Sequence, residues 1–98
     1  MNSKFYILLG INKVMDVEKI AFQLEEIGLT KSEIKVYLAL LELGASTTGP
    51  IIDTSQTANS KIYSVLEKLI QKGLVTFYKQ ESLKYYKAAN PLQITHYL

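Results

Sequence analysis

The chain has 98 residues, 48% of them hydrophobic, with eleven basic and nine acidic side chains for a net charge of +2. That length suits one domain with a modest core. There is no cysteine and one histidine, His96, so the sequence can build neither a disulfide nor a thiolate or multi-histidine metal centre.

The apolar run Phe5–Ile11 falls well short of the roughly 20 residues a membrane span needs, and no secretory signal stands out. A cytoplasmic location with no membrane partner is therefore expected. Nothing resembles a nucleophile–base pair, and Glu25 and Glu26 are sequential, so their carboxylates diverge on a helix. No enzyme activity, metal or cofactor is expected. The charge is unevenly spread. Residues 1–54 hold five lysines and seven acids, and residues 55–98 hold six lysines and two acids. The second half is the one suited to a polyanion. Every basic residue is lysine, so phosphate neutralisation is favoured over the bidentate guanine contacts of arginine.

Residues 1–13 read as an N-terminal extension, and Met15 offers a second possible start. Over residues 14–27, Val14, Val17, Ile20, Ala21, Leu24 and Ile27 recur at helical spacing. This predicts a packing helix stopped at Gly28. Met15 and Phe22 lie outside the stripe, which leaves a dimerisation helix open. Next, Thr30 and Glu33 have the spacing of a capping box, with Leu29 and Ile34 placed for a hydrophobic staple. The helix they start runs through Leu43 to Gly44. Its stripe of Ile34, Tyr37, Leu38 and Leu41 is widened by Val36, Leu40 and Leu43, so it is central or shared with a partner.

A short helix is expected from about Gly49 to Thr54, with Pro50 in its first turn. A longer one spans residues 58–72, with Thr57 as N-cap, a buried stripe of Ile62, Val65, Leu66, Leu69 and Ile70, and Gly73 as its stop. Leu74–Tyr78 and Lys84–Ala88 read as strands around a polar tip at residues 79–83, with Val75, Phe77 and Tyr86 facing inward. Asn90-Pro91 breaks the second strand, and Pro91 suits the start of a final helix over residues 91–98.

This order is that of an α+β winged helix-turn-helix over residues 14–90: a three-helix core, a β-hairpin wing, an extra N-terminal helix and the start of a C-terminal helix. A recognition helix needs a buried stripe to fix its roll, and small or polar residues near its N-terminus. Asn59, Ser60, Lys61 and Ser64 meet that need. Asn59 can pair with adenine, Lys61 with guanine or phosphate. Lys68 on the helix, with Lys79 and Lys84 on the hairpin, can reach the flanking phosphates. The alternative for Lys61, Lys68 and Lys72 is a plain solvated face, and Tyr63 and Tyr86 read as core.

The segments Leu29-Thr30-x-x-Glu33-x-Lys35-Val36-Tyr37-Leu38-Ala39-Leu40-Leu41, Ser60-Lys61-Ile62-Tyr63-x-x-Leu66-x-x-Leu69-x-x-Lys72-Gly73-Leu74-Val75 and Tyr86-x-Ala88-x-x-Pro91 resemble the TrmB-type winged-helix domain of archaeal transcriptional regulators. The resemblance spans residues 24–92. It implies a double-stranded DNA-binding domain, usually dimeric, whose recognition helix enters the major groove with Ser60, Lys61 and Ser64 facing DNA. It also implies structural roles for Tyr37, Tyr63 and Tyr86. Gln56 stands where the family often has glycine, Ala58-Asn59 where it often has Pro-Arg, and the tip lacks its usual glycine and arginine. The sugar-sensing domain of larger members has no counterpart here, so no small-molecule effector is evident. A homodimer is expected, because two half-sites multiply what one lysine-only helix can specify. The competing reading is a winged-helix protein–protein module of the transcription machinery.

Overall fold

A computed structural model of the chain describes residues 14–89, and for residues 14–17 the backbone alone. The expected N-terminal extension and C-terminal helix lie outside these residues. The described order is α1 (Val14–Glu26), α2 (Lys31–Leu43), α3 (Thr48–Ser55), α4 (Asn59–Gln71), β1 (Val75–Gln80) and β2 (Leu83–Ala88). Helices α2 to α4 form the three-helix core, α3 and α4 are the helix-turn-helix, and the antiparallel β1–β2 hairpin is the wing. The fold is an α+β winged helix-turn-helix.

Two helices stop by the same device. At the end of α1, the Gly28 N–H donates to Glu25 O and the Leu29 N–H to Leu24 O, both at 3.0 Å. At the end of α4, the Gly73 N–H donates to Ile70 O and the Leu74 N–H to Leu69 O, both at 2.9 Å. These are Schellman motifs, which need a left-handed residue at the turn. Gly28 and Gly73 supply it at φ of 98° and 77°. In each, the leucine after the glycine is buried with the leucine five residues before it, so the polar stop and the apolar contact form together.

Helix α2 is the hub. Thr30 Oγ1 accepts from the Glu33 N–H at 3.2 Å, Glu33 Oε1 accepts from the Thr30 N–H at 2.9 Å, and Leu29 and Ile34 are both buried as a staple requires. Its broad apolar surface is used within the chain. It packs against α1, α3, α4 and β2, which buries Val36, Tyr37, Leu38, Ala39 and Leu40.

Helix α3 starts at Thr48, one residue before the expected point, and Pro50 falls in its first turn, where a missing N–H costs nothing. The turn that follows is tight. Gln56 adopts the left-handed conformation at φ 59°, ψ 35°, and its N–H donates to Ile52 O. Thr57 is not the cap of α4. It is buried, with its Oγ1 2.9 Å from Ser55 Oγ, which also donates to Ile51 O. Ala58 holds the N-cap position and offers no side-chain acceptor.

The hairpin is longer than its composition suggested. Its register runs from Val75↔Ala88 to Gln80↔Leu83, so Lys79, Gln80 and Leu83 belong to the strands and the loop is only Glu81-Ser82. Both loop residues have positive φ, 53° and 70°, as a type I′ turn demands. The wing is tied to the core by a bridge in which Ser46 and Tyr86 exchange both N–H···O bonds, at 2.9 and 2.8 Å. Tyr86 and Val75 are buried as expected. Phe77 is not; it shares their face and pairs with Tyr86, but it lies on β1, whereas the bridge to Ser46 and the packing on α2 run through β2, and it stays 46% exposed.

Two side chains fasten distant segments. The Tyr37 hydroxyl, in a fully buried side chain, donates to Ala89 O at 3.1 Å, and burial raises its pKa far above the usual tyrosine value. Lys72 Nζ donates to Glu33 Oε1 at 2.9 Å, joining the end of α4 to the start of α2. Lys72 is thus an ion-pair partner and not only a solvated lysine. Burial alone would raise the Glu33 carboxyl. The Lys72 hydrogen bond, the Thr30 N–H and the charges of Lys72 and Lys68 together outweigh it and hold the pKa below 4.5.

Two outcomes follow for stability. Glu33 is 2% exposed and Lys72 39%, so Lys72 can rehydrate when its partner is lost, and Glu33→Gln should cost about 2 kcal/mol rather than the full penalty of a sealed pair. A lowered carboxylate pKa contributes stability that is present above 4.5 and lost as pH falls through the folded value. The gap in urea midpoint between wild type and Glu33→Gln should therefore close on acidification, and a gap that widens would exclude this role. Gln56→Gly, in turn, should raise stability by roughly 1 kcal/mol by removing left-handed strain, read as an increase in thermal midpoint.

Candidate nucleic-acid interface

The roll of α4 decides what it offers to solvent. Ile62, Val65, Leu66 and Leu69 are buried and Ile70 is half-buried. At 100° per residue the opposite side carries Ser60, Ser64, Glu67 and Gln71, and all four are exposed. Lys61 and Lys68 flank this row on the side of α2, where Lys68 contributes to the field on Glu33. Tyr63 and Glu67 lie towards β2; burial raises the Tyr86 pKa, and the charges of Tyr63 and Glu67 raise it further.

The leading end of α4 is open. Asn59, Ser60 and Lys61 are exposed in its first turn, which holds no acidic residue, and no side chain caps its N–H groups. The Lys61 N–H donates to Ala58 O at 3.0 Å, and the helix dipole, with the N–H groups before it, makes such an end favourable for an anion. Of the sequence-derived candidates, Asn59, Ser60, Lys61 and Ser64 therefore share one exposed end of one helix. Lys68 is exposed further along, about two turns beyond Ser60.

The other two candidates are on the wing. Lys79 and Lys84 are cross-strand partners on the face that carries Phe77 and Tyr86. Lys79 is exposed, and Lys84 is half-buried with Nζ 3.9 Å from the centre of the Phe77 ring and 5.4 Å from that of Tyr86. This cation–π contact covers part of the stranded Phe77 ring and holds Lys84 in place. It also carries the ammonium to the α4 side of the wing. On the outer face Tyr78 and Tyr85 stack at 5.4 Å with planes 10° apart.

Three features escaped the sequence reading. Tyr63 is 64% exposed and is not a core residue. It sits one position past Ile62, at the margin of the apolar stripe, where periodicity alone cannot tell inside from outside. Glu67 places an acid among the exposed residues of α4, a fact available from the same helical projection. Leu83, read as loop, is an exposed strand residue at the wing tip.

A hollow of about 700 Å³ at the far end of α4 is lined by Ile27, Leu29, Ile70, Leu74 and their neighbours, and its one ionisable side chain, Lys72, is paired with Glu33. Among the described residues no three His, Asp or Glu side chains gather as a metal set, and no helix is long and apolar enough to cross a membrane.

Comparison with known proteins agrees with this architecture. A family model described as "Sugar-specific transcriptional regulator TrmB" matches residues 24–92. The "HTH-type sugar sensing transcriptional regulator TrmBL1" of Pyrococcus furiosus is 41% identical over 58 residues, which are 59% of this chain and 17% of that protein.

Proposed function

The chain belongs to the TrmB family, and from that premise we propose that it is a sequence-specific double-stranded DNA-binding transcriptional regulator. In this reading the helix at about residues 58–72 enters the major groove and the wing at about residues 74–88 lies on the flanking backbone. Ser60, Lys61 and Ser64 meet base edges with Asn59 beside them, and Lys68, Lys79 and Lys84 meet phosphates. The observation that carries the reading is the leading end of α4, exposed, uncapped by any side chain, free of acids in its first turn and bearing those four polar residues.

Control of transcription would come from promoter occupancy, by steric block or recruitment. We propose a homodimer, since paired half-sites supply specificity that one helix without arginine lacks. Phe22, 61% exposed on α1, supports a contact with a second copy. The same residue also favours a protein–protein module, for which duplex DNA would be no ligand. A cytoplasmic setting accompanies the DNA-binding reading. The matched relative's name attaches sugar sensing to that protein, of which this chain spans 17%.

Salt separates the two readings. A dimer that neutralises about four to eight phosphates should lose affinity steeply with salt, with a slope of about −0.9 per contact on a double-logarithmic plot. Lys61→Glu should abolish retention of genomic duplex fragments in a gel shift and leave the thermal midpoint nearly unchanged, because Lys61 is exposed. Retention equal to wild type would remove Lys61 and its face from the interface.

A further inference from the structure

Between α4 and the wing lies a groove of about 180 Å³, whose lining includes Thr47, Thr48, Tyr63, Leu83, Lys84 and Tyr86, with Ser82 at the wing turn. Its chemistry is mixed in a particular way. Tyr63 and Leu83 offer apolar surface that the fold leaves 64% and 52% exposed. Thr47, Thr48 and Tyr63 offer hydroxyls, and Lys84 offers a cation that its contact with Phe77 holds on this side of the hairpin. A free phosphate would make no use of the apolar walls, and an apolar peptide would make none of the ammonium. A deoxyribose-phosphate unit, with an apolar sugar edge and an anionic phosphate, uses both.

We infer that Tyr63 is a DNA-positioning residue: its ring packs on a backbone sugar, and its hydroxyl donates to the phosphate that Lys84 neutralises. The inference deepens the proposed DNA-binding function and rests on that reading. Tyr63 belongs to α4 and Lys84 to β2, so one nucleotide of the backbone is held by the recognition helix and by the wing together. That shared grip sets how far α4 enters the groove, and hence which bases Ser60 and Ser64, on the same helix, can reach. It also accounts for an aromatic ring left largely in water when burial would otherwise be favourable. The arrangement fits a neutral donor, since a hydroxyl at this place positions the backbone without adding to the counterion release that the lysines provide.

The test uses the full chain and a duplex fragment that the wild type retains. Wild type, Tyr63→Phe and Tyr63→Ala are compared by affinity, salt slope, thermal midpoint and phosphate-ethylation interference. Loss of a hydrogen bond to a charged group should lower affinity about tenfold in Tyr63→Phe, with a larger loss in Tyr63→Ala. The salt slope and the thermal midpoint should not move in either variant. Ethylation of one phosphate per half-site should weaken wild-type binding, and should weaken Tyr63→Phe less, because only the Lys84 contact to that phosphate then remains. Unchanged affinity and an unchanged interference pattern in both variants would overturn the inference while leaving the DNA-binding reading intact. Failure of the wild type to retain any duplex would overturn both.

Discussion

What α4 turns outward is fixed by what it turns inward. Ile62, Val65, Leu66 and Leu69 are removed from water against the core, at roughly 2 kcal/mol each by area. Rotating the helix by one residue would expose part of that stripe and drive Tyr63 or Lys61 into the core. The roll is therefore held by several kcal/mol, and the positions of Ser60, Lys61 and Ser64 follow from it without any interaction of their own. A surface that is polar and weakly structured in itself becomes rigid because its reverse side is packed. The same constraint explains why α2 is so widely apolar: it is the common wall against which α1, α3, α4 and β2 close.

Polar contacts then fix the ends of what the core has aligned. Lys72 secures the tail of α4 to Glu33 at the head of α2, and the Glu33 carboxylate oxygen that receives it also completes the cap of that helix. The Tyr37 hydroxyl secures the chain just after the wing, and the Ser46–Tyr86 bridge secures the wing's middle to the segment that precedes α3. The leading end of α4 has no such tether. Its first turn is bounded by a turn whose polar side chains are spent on one another, Ser55 on Thr57 and Gln56 on the Asp53 carbonyl. The asymmetry is consistent with a helix anchored at its base and presented at its tip.

Most of the architecture could be read from residues whose meaning is local. Thr30 with Glu33, Gly28, Gly73 and the stripe of α4 each determine a helix end or a helix face by geometry that spans a few positions. The readings that failed concern features set by distant parts of the chain. Thr57 looks like a cap until Ser55 claims its hydroxyl. Phe77 has the parity of an inward residue, yet the core closes on β2 and leaves that part of β1 outside. Lys72 is an ordinary surface lysine unless α2 brings Glu33 beneath it. The hairpin tip was drawn too long because Glu81-Ser82 lacks the Asn or Gly that usually marks a type I′ turn. For the candidate site, the exposed polar residues of α4 were legible from periodicity, whereas the relation of Tyr63 to the wing depends on tertiary placement that no spacing encodes.

Titration of the isotope-labelled protein with duplex DNA, followed by amide chemical-shift mapping, tests the central claim most directly. If α4 and the wing form the DNA-facing surface, the shifts will cluster at Asn59–Ser64 and around Lys79–Lys84, and α1 near Phe22 will be quiet. Shifts centred on α1, with the leading end of α4 unaffected, would contradict the account.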